Sequence, residues 1–223
     1  MRINIAIDGP SASGKSTIAK ELAKRLGYTH LDTGAMYRAC ALLAKQKNLD
    51  LSTSDQLVAE VKKASICFDD LGHILLNGKD VSQDIRTNEI DLLTSTISQF
   101  ADLRQEMVIL QQAIAQDKGY ILDGRDIGSV VLPKAELKIF QTASVESRAL
   151  RRFKEYQKRG KDIAYQDVLN EIEVRDQQDT QRSASPLIKT EDAYELDTSD
   201  LTIDEVVDWI MNKVSKLSQK EAV

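Results

Sequence analysis

The sequence predicts an α/β fold: a five-stranded parallel sheet with helices on both faces and a small antiparallel β insertion. Three observations predict it. Short apolar runs alternate along the chain with amphipathic helical stretches, the rhythm of strand–helix–strand units. Several of these runs are continuously apolar rather than alternating, as parallel strands covered on both faces require. One segment, 64–85, breaks the rhythm with short β runs and turns. The length, 223 residues, corresponds to about one and a half domains, which leaves room for an insertion or a lid beyond one core.

The elements follow in order. Residues 3–7 read as a strand and 16–26 as a helix closed by Gly27, with Ile18, Leu22 and Leu26 on the face that packs on the sheet. Residues 28–31 read as a strand and 35–46 as a helix. In 64–85 the runs SICF, DDLG, HILL, NG and KDVS succeed one another, and Asn77-Gly78 is a strong hairpin signal. Residues 88–117 read as helix broken once near 100–102. Strands are expected at 119–122 and 137–140, the latter followed by a helix at 146–158. A last strand at 194–196 precedes a helix at 202–217.

Composition narrows the function. There are 30 Lys+Arg against 35 Asp+Glu, a formal charge of −5, with 42% hydrophobic and 29% charged residues. This is an ordinary globular balance and argues against a strongly basic nucleic-acid binder and against disorder. Aromatic residues at 5% make a base-stacking surface unexpected. No apolar run approaches the ~18 residues of a membrane helix, and the N-terminus is not a signal peptide. Cys40 and Cys67 are too few and too far apart for a metal knuckle or disulfide framework, which suits reduced thiols in the cytoplasm. His30 and His73 read as isolated, structural residues.

The first chemical signal is Gly9-Pro10-Ser11-Ala12-Ser13-Gly14-Lys15-Ser16, which fits G-x-x-x-x-G-K-[ST] between a strand and a helix. Such a loop aims successive backbone N–H groups at phosphate oxygens, and the helix N-terminus adds partial positive charge. Lys15 can reach the β- and γ-phosphates and the Ser16 hydroxyl can bind Mg2+, with Thr17 beside it in the first turn. A Gly/Ser-rich helix cap would not need strand, full motif, Lys and Ser together. The fold is therefore expected to be the three-layer P-loop NTPase type.

A P-loop does not say where the phosphoryl goes. Asp123-Gly124-Arg125-Asp126 follows the strand YIL, at a strand's carboxyl end, where open α/β sheets bind ligands. Asp123 resembles a Walker-B acid, able to orient magnesium or its water. Arg125 can hold a phosphate bidentately, or form a loop ion pair with a neighbouring Asp. In Asp32-Thr33-Gly34-Ala35-Met36-Tyr37-Arg38, Thr33 offers a hydroxyl and Arg38 falls one helical turn beyond the loop. The alternative is a helix start capped by Thr33 with Arg38 solvated. Between residues 148 and 161 lie seven cations (Arg148, Arg151, Arg152, Lys154, Lys158, Arg159, Lys161) and one acid, Glu155. Such a run is a solvated helix face or a lid that brings cations around a transferring phosphoryl, and a lid is the reading adopted. Arg175, Asp179 and Arg182 share one helix face, as an ion-pair ladder or a row reaching the acceptor. The chain is then organised as a core of about 1–60, 87–147 and 183–223, an insertion of about 61–86 and a lid of about 148–182.

GPSASGKST, LDTGAMYRA, ILDGRDIG, SVESRALRR and RDQQDTQRSASPL, in this order, resemble bacterial cytidylate kinases, from residue 3 to about 210. DTGAMYR, DGRD and the terminal RD…D..R make the resemblance more selective than the P-loop alone, and the β insertion fits an enlarged monophosphate-binding region. The resemblance implies transfer of the γ-phosphoryl of ATP to CMP or dCMP. It implies that Thr33, Ser95, Arg104 and Asp126 face the cytosine, and that Arg38 and Arg125 hold the acceptor phosphate with Arg182 nearby. Asp179 with Arg175 would read the ribose hydroxyls, and Arg148 and Arg152 would belong to the lid. Thr33 stands where relatives can carry Ser. The segment between Arg104 and Asp123 is about a residue shorter than in some relatives, and sliding one position would select Gln105.

The expected mechanism is direct in-line transfer assisted by Mg2+, with ATP and CMP or dCMP as small-molecule partners, no nucleic-acid polymer, no membrane, and a monomeric enzyme. The acceptor phosphate is already anionic, so no strong general base is needed and catalysis rests on positioning and cations. One rival is another P-loop kinase with a shikimate- or sugar-type acceptor, for which Asp32 could activate a hydroxyl. Another is a GTPase-like switch. That rival lacks [NT]-K-x-D, and its other signature, Asp69-x-x-Gly72, falls in the hairpin insertion.

Overall fold

The computed structural model describes residues 2–69 and 71–220, with side chains through residue 217. Residue 70, within the expected insertion and the D-x-x-G signature, lies outside the described residues, as do residues 1 and 221–223 at the ends of the expected core.

The first strand, β1 (Ile5–Asp8), is buried at every residue because it pairs on both edges. Its neighbours are β6 (Tyr120–Gly124) and β7 (Leu137–Thr142), flanked in turn by β2 (Thr29–Asp32) and β8 (Tyr194–Asp197). The order is β2-β6-β1-β7-β8, all parallel. Register sets Asp8 beside Gly124 and Asp32 beside Asp123. Three segments distant in sequence therefore leave the sheet at one level along its carboxyl edge.

The period of two along β1 sends Ile5 and Ile7 to one face and Ala6 to the other. Helices α1 (Lys15–Leu26) and α8 (Ile203–Lys220) cover the first face, with Ile18, Leu22, Val207 and Ile210 packed near Ile5, Ile7 and Ile139. The second face is covered by α2 (Thr33–Gln46), α4 (Asn88–Ile97) and α5 (Ala101–Ile114) through Met36, Ile90, Leu103 and Met107. Each such side chain taken from water contributes about 1.5–3 kcal/mol.

The elements meet the expectations with informative differences. Helix α2 starts two residues earlier than its apolar pattern suggests, because Asp32, not Thr33, caps it by accepting a hydrogen bond from the Ala35 N–H at 2.9 Å. A short helix α3 (Asp55–Val61) was not anticipated; it buries only Leu57 and Val61, too few to display a period. The insertion is a three-stranded antiparallel sheet of β3 (Ile66–Phe68), β4 (Ile74–Leu76) and β5 (Lys79–Asp80). Its hairpin turns at Asn77-Gly78, with φ of 51° and 78°, the positive pair that a tight two-residue loop requires. Ile66, Ile74 and Leu76 join the core around α2, so the insertion has no separate core. The helical break falls at 98–100, between α4 and α5. A π-type turn, Ile127–Val131, follows β6. Beyond β7, α6 (Val145–Lys158) is capped by Ser144 and packs on α7 (Tyr165–Gln181), where the Tyr156 hydroxyl donates to Glu171 at 3.1 Å. No helix among the described residues is long and apolar enough to cross a membrane.

Candidate active site

The glycine-rich loop is fixed before any side chain acts. Gly9 has φ of 153°, and a Cβ there would lie 2.0 Å from the Gln141 carbonyl oxygen, so only glycine fits. The Ser13 carbonyl accepts from Gln141 Nε2 at 2.6 Å and from Arg151 Nη1 at 3.0 Å, pinning the loop to β7 and α6. Lys15 is buried, and its ammonium donates to the Pro10 carbonyl at 2.7 Å and the Ser13 hydroxyl at 3.1 Å. Burial, reinforced by Arg125, pushes its pKa well below the usual lysine range, opposed by Asp123 and Asp8. The Ser16 hydroxyl donates to Asp123 Oδ2 at 2.6 Å, while His30 Nε2 lies 2.6 Å from Asp123 Oδ1. His30 is therefore not the isolated residue expected from sequence; it holds the acid that faces the loop. Ser11 to Thr17 line the cleft, whereas Gly9 and Pro10 stand behind it.

The opposite end is built from side chains. The Thr33 hydroxyl donates to the Asp123 carbonyl at 2.6 Å, stitching the loops after β2 and β6 together. Asp32, besides capping α2, pairs with Arg86 at 2.9 Å. Burial raises its pKa, but Arg38 and Arg86 outweigh burial and hold it below the ordinary value. Arg38 pairs with Asp91 of α4 at 2.9 Å. Arg125 does form an ion pair, with a partner far along the chain: its Nε lies 2.7 Å from Asp179 Oδ2. Arg175 and Arg182 meet the same carboxylate at 3.5 and 3.3 Å. Burial would raise the Asp179 pKa, yet Arg125, Arg175 and Arg182 overcome it and bring it down to about 2. Burial, then repulsion from Arg104, lowers Arg182 to about 10.

Arg104 is ion-paired with Asp126, both buried, and donates to the Ser98 carbonyl at 3.2 Å. Its guanidinium stands 5.4 Å from the centre of the Tyr37 ring. Of the two residues considered for this position, Arg104 lines the cleft and Gln105 is exposed without lining it. The Ser95 hydroxyl donates to Gln178 Oε1 at 2.9 Å. Arg104 Nε and Arg182 Nη2 are buried donors with no hydrogen-bond partner among the described residues.

Both ends open into one cleft of about 550 Å3. It brings together Ser11–Thr17, Thr33, Arg38, Ser95, Arg104, Asp123, Arg125, Arg152, Arg175 and Arg182. Asp126 and Asp179 sit behind the arginines they hold. The basic stretch divides. Arg152 lines the cleft, with Nη2 3.4 Å from the Ser11 hydroxyl. Arg148 does not line it: its guanidinium donates to the Ala143 and Ser11 carbonyls at 2.9 and 3.3 Å and pairs with Asp176 at 2.6 Å. Lys154 and Lys158 are exposed, while Arg159 and Lys161 face the cleft. Sequence reasoning did not anticipate Arg86, Asp91 or Asp8 here. A polar residue closing the buried strand β1 was a usable signal for Asp8, since a buried carboxylate needs partners.

No group of three or more His, Cys, Asp or Glu among the described residues could hold a metal ion. Ser16 Oγ and the Asp123 carboxylate, 2.6 Å apart, are hard oxygen donors. That pair fits magnesium bound through few protein ligands and substrate phosphates.

Similar proteins bear on this geometry. The family model described as cytidylate kinase matches residues 5–216. A cytidylate kinase from Enterococcus faecalis is 47% identical over 218 residues, covering 96% of each chain. One from Bacillus subtilis is 45% identical, covering 98% of this chain and 99% of its own. Among solved structures, a gluconokinase from Sinorhizobium meliloti superposes with a TM-score of 0.50 at 12% identity, covering 99% and 96% of the two chains. An uncharacterised protein from Eubacterium ventriosum gives 0.52 at 15%, covering 97% and 99%. These two show the fold alone, the P-loop architecture. The family model and the full-length relatives show more: this chain belongs to the cytidylate kinase family.

Proposed function

We propose that this protein transfers the γ-phosphoryl of ATP to CMP or dCMP, giving ADP and CDP or dCDP. The observation that carries the reading is a single cleft with a backbone-built phosphate loop at one end and an arginine-rich pocket at the other. Residues Gly9 to Thr17 would cradle the donor phosphates, with Lys15 at the transferring group. Arg38, Arg125 and Arg182 would hold the acceptor phosphate, and the unpartnered Arg182 Nη2 supports this. Thr33, Ser95, Arg104 and Asp126 would read the base, and Asp179 with Arg175 the ribose. Arg152 would reach the transferring phosphoryl from a lid formed by α6 and α7. Arg148 would act from behind, by tying that lid to the Ser11 carbonyl.

An oxygen of the acceptor phosphate attacks the γ-phosphorus as the bond to the β–γ bridging oxygen breaks, and ADP leaves in line. The acceptor is already an anion, so no proton must be removed. Lys15, Arg125 and Arg152 supply positive charge to the equatorial oxygens as charge redistributes. Ser16 and Asp123 would hold Mg2+, which neutralises phosphate charge when bound. Asp32 supports a phosphate acceptor over a hydroxyl acceptor. Its carboxylate is occupied by the Ala35 N–H and Arg86 and is held ionised and neutralised, a poor general base. The free cysteines suit a reducing cytoplasm.

A coupled assay of ADP release, run with ATP and a panel of nucleoside monophosphates, shikimate and gluconate, tests this. CMP and dCMP should turn over fastest. Turnover with a hydroxyl acceptor while CMP stays inert would overturn the reading.

A further inference from the structure

Resting on that reading of the two ends of the cleft, we propose that Asp8 is a positioning residue that mechanically couples the donor-phosphate loop to the turn carrying Arg125 and Asp126. Asp8 lines no part of the cleft and is 6% exposed. Its carboxylate accepts two backbone hydrogen bonds, from Ile127 N–H at 2.8 Å and Gly128 N–H at 2.7 Å. These open the turn Ile127–Val131, whose later amides, Val130 and Val131, return to the Asp126 carbonyl. The first amides of such a turn have no partner within it, so Asp8 supplies one from another strand.

The position gives this contact its reach. The residue after Asp8 is Gly9, packed so closely on β7 that an added Cβ would lie 2.0 Å from the Gln141 carbonyl oxygen. The residue before Ile127 is Asp126, whose carboxylate holds Arg104; one residue earlier, Arg125 holds Asp179. A displacement of the loop at Gly9 therefore passes through Asp8, the two amides and Asp126 to the arginines of the opposite end. Every link is buried and hydrogen-bonded, so slack is small. An ionisable side chain is a costly way to satisfy two amides. Burial raises its pKa to about 6 despite both bonds, with Asp126 adding to the rise. The carboxylate does provide what an amide or hydroxyl side chain cannot, two acceptor oxygens in one rigid plane.

Two variants address the same contact differently. Asp8→Asn keeps the shape but turns one acceptor into a donor facing an N–H. Gly128→Ala keeps the charge but places a Cβ 3.3 Å from Asp8 Oδ2 and 3.2 Å from Lys138 Cδ, crowding the contact. Affinities for CMP alone and ADP alone are read by calorimetry, with KM, kcat and thermal unfolding measured on the same preparations. Coupling predicts that both variants weaken CMP binding about tenfold and ADP binding several-fold, in protein whose unfolding is still cooperative. If Asp8→Asn does not fold, Gly128→Ala carries the test. Folded variants that bind both nucleotides as wild type does, with only Tm lowered, would make Asp8 a structural residue and overturn the proposal. Wild-type protein that binds ADP but not CMP would overturn the acceptor reading and the coupling with it.

Discussion

The two ends of the cleft are made from different materials. The end proposed for the donor is backbone: nine consecutive residues forming a loop and the first turn of α1, with a glycine that cannot be replaced and a carbonyl pinned from two sides. The end proposed for the acceptor is side chain: arginines from α2, α5 and the loop after β6, each held by a carboxylate from another element, and Arg182 at the end of α7, held by Asp179 of the same helix. Their buried acids differ accordingly. Asp8, at the donor end, has amide partners and is pushed up to about 6 by burial. Asp179, at the acceptor end, is equally buried but is pulled down to about 2 by three guanidinium groups. A backbone site keeps its shape when a side chain is lost, whereas a site of paired charges loses shape and function together.

Removing Asp179 should give the largest effect. Asp179→Ala leaves Arg125, Arg175 and Arg182 facing one another without their shared carboxylate. Breaking a buried pair in this way costs about 3–5 kcal/mol. Urea unfolding should show that loss together with a collapse of CMP affinity. A variant of unchanged stability would mean that the acceptor end does not depend on its ion pairs. Lys15→Ala should behave in the opposite sense. Activity should fall by about 10²–10³, the scale of losing one electrostatic contact to the transition state. Stability should hold or rise, because a buried ammonium is removed. Full turnover in folded Lys15→Ala would end the role given to the loop.

The same contrast explains what the sequence discloses. The donor end is legible because its residues are contiguous and its glycines, lysine and serine are required by one local geometry. The strands are legible because a buried parallel strand is apolar throughout, and the hairpin because Asn77-Gly78 suits two positive φ angles. The residues proposed for the acceptor stretch from Thr33 to Arg182. Local pattern could nominate Arg38 or Arg125, but not say that Arg125 would meet Asp179 rather than an adjacent acid. Arg86 carried no signal, since its partner Asp32 is 54 residues away. His30 looked isolated because its partner lies on the next strand of the sheet, Asp123. Helix α3 and the π-type turn were invisible because each is about one or two turns long, shorter than any period that would reveal it.

Titration separates the two acids with opposite signs. Between about pH 3.8 and 6 the folded protein binds more protons at Asp8 than the unfolded chain does, so stability attributable to Asp8 rises as pH falls through that window. At about 1.4 kcal/mol per unit the swing approaches about 3 kcal/mol. Asp179 acts lower and in the other direction. Its contribution is complete above about 3.8 and is lost as pH falls toward 2, a swing of about 2 kcal/mol. Thermal unfolding from pH 7 to 4, comparing wild type with Asp8→Asn, should show a stabilising slope on acidification in wild type that the variant lacks. Parallel slopes would show that Asp8 is not the group titrating.

The smallest effect tests whether the two ends can be perturbed separately. Ser95 lies on α4 and donates to Gln178 of α7. It makes no hydrogen bond to Asp126 or to the loop after β1, so it stands off the route that passes through Asp8. Ser95→Ala removes one partly exposed hydroxyl, and its stability should change by less than about 0.5 kcal/mol. If the hydroxyl contacts the base, the loss of about 1 kcal/mol from one hydrogen bond should raise the KM for CMP about fivefold. The KM for ATP should stay as it was. A rise in both constants would mean that α4 and α7 act on the donor loop as well as on the base, and the division into a backbone end and a side-chain end would then be too sharp.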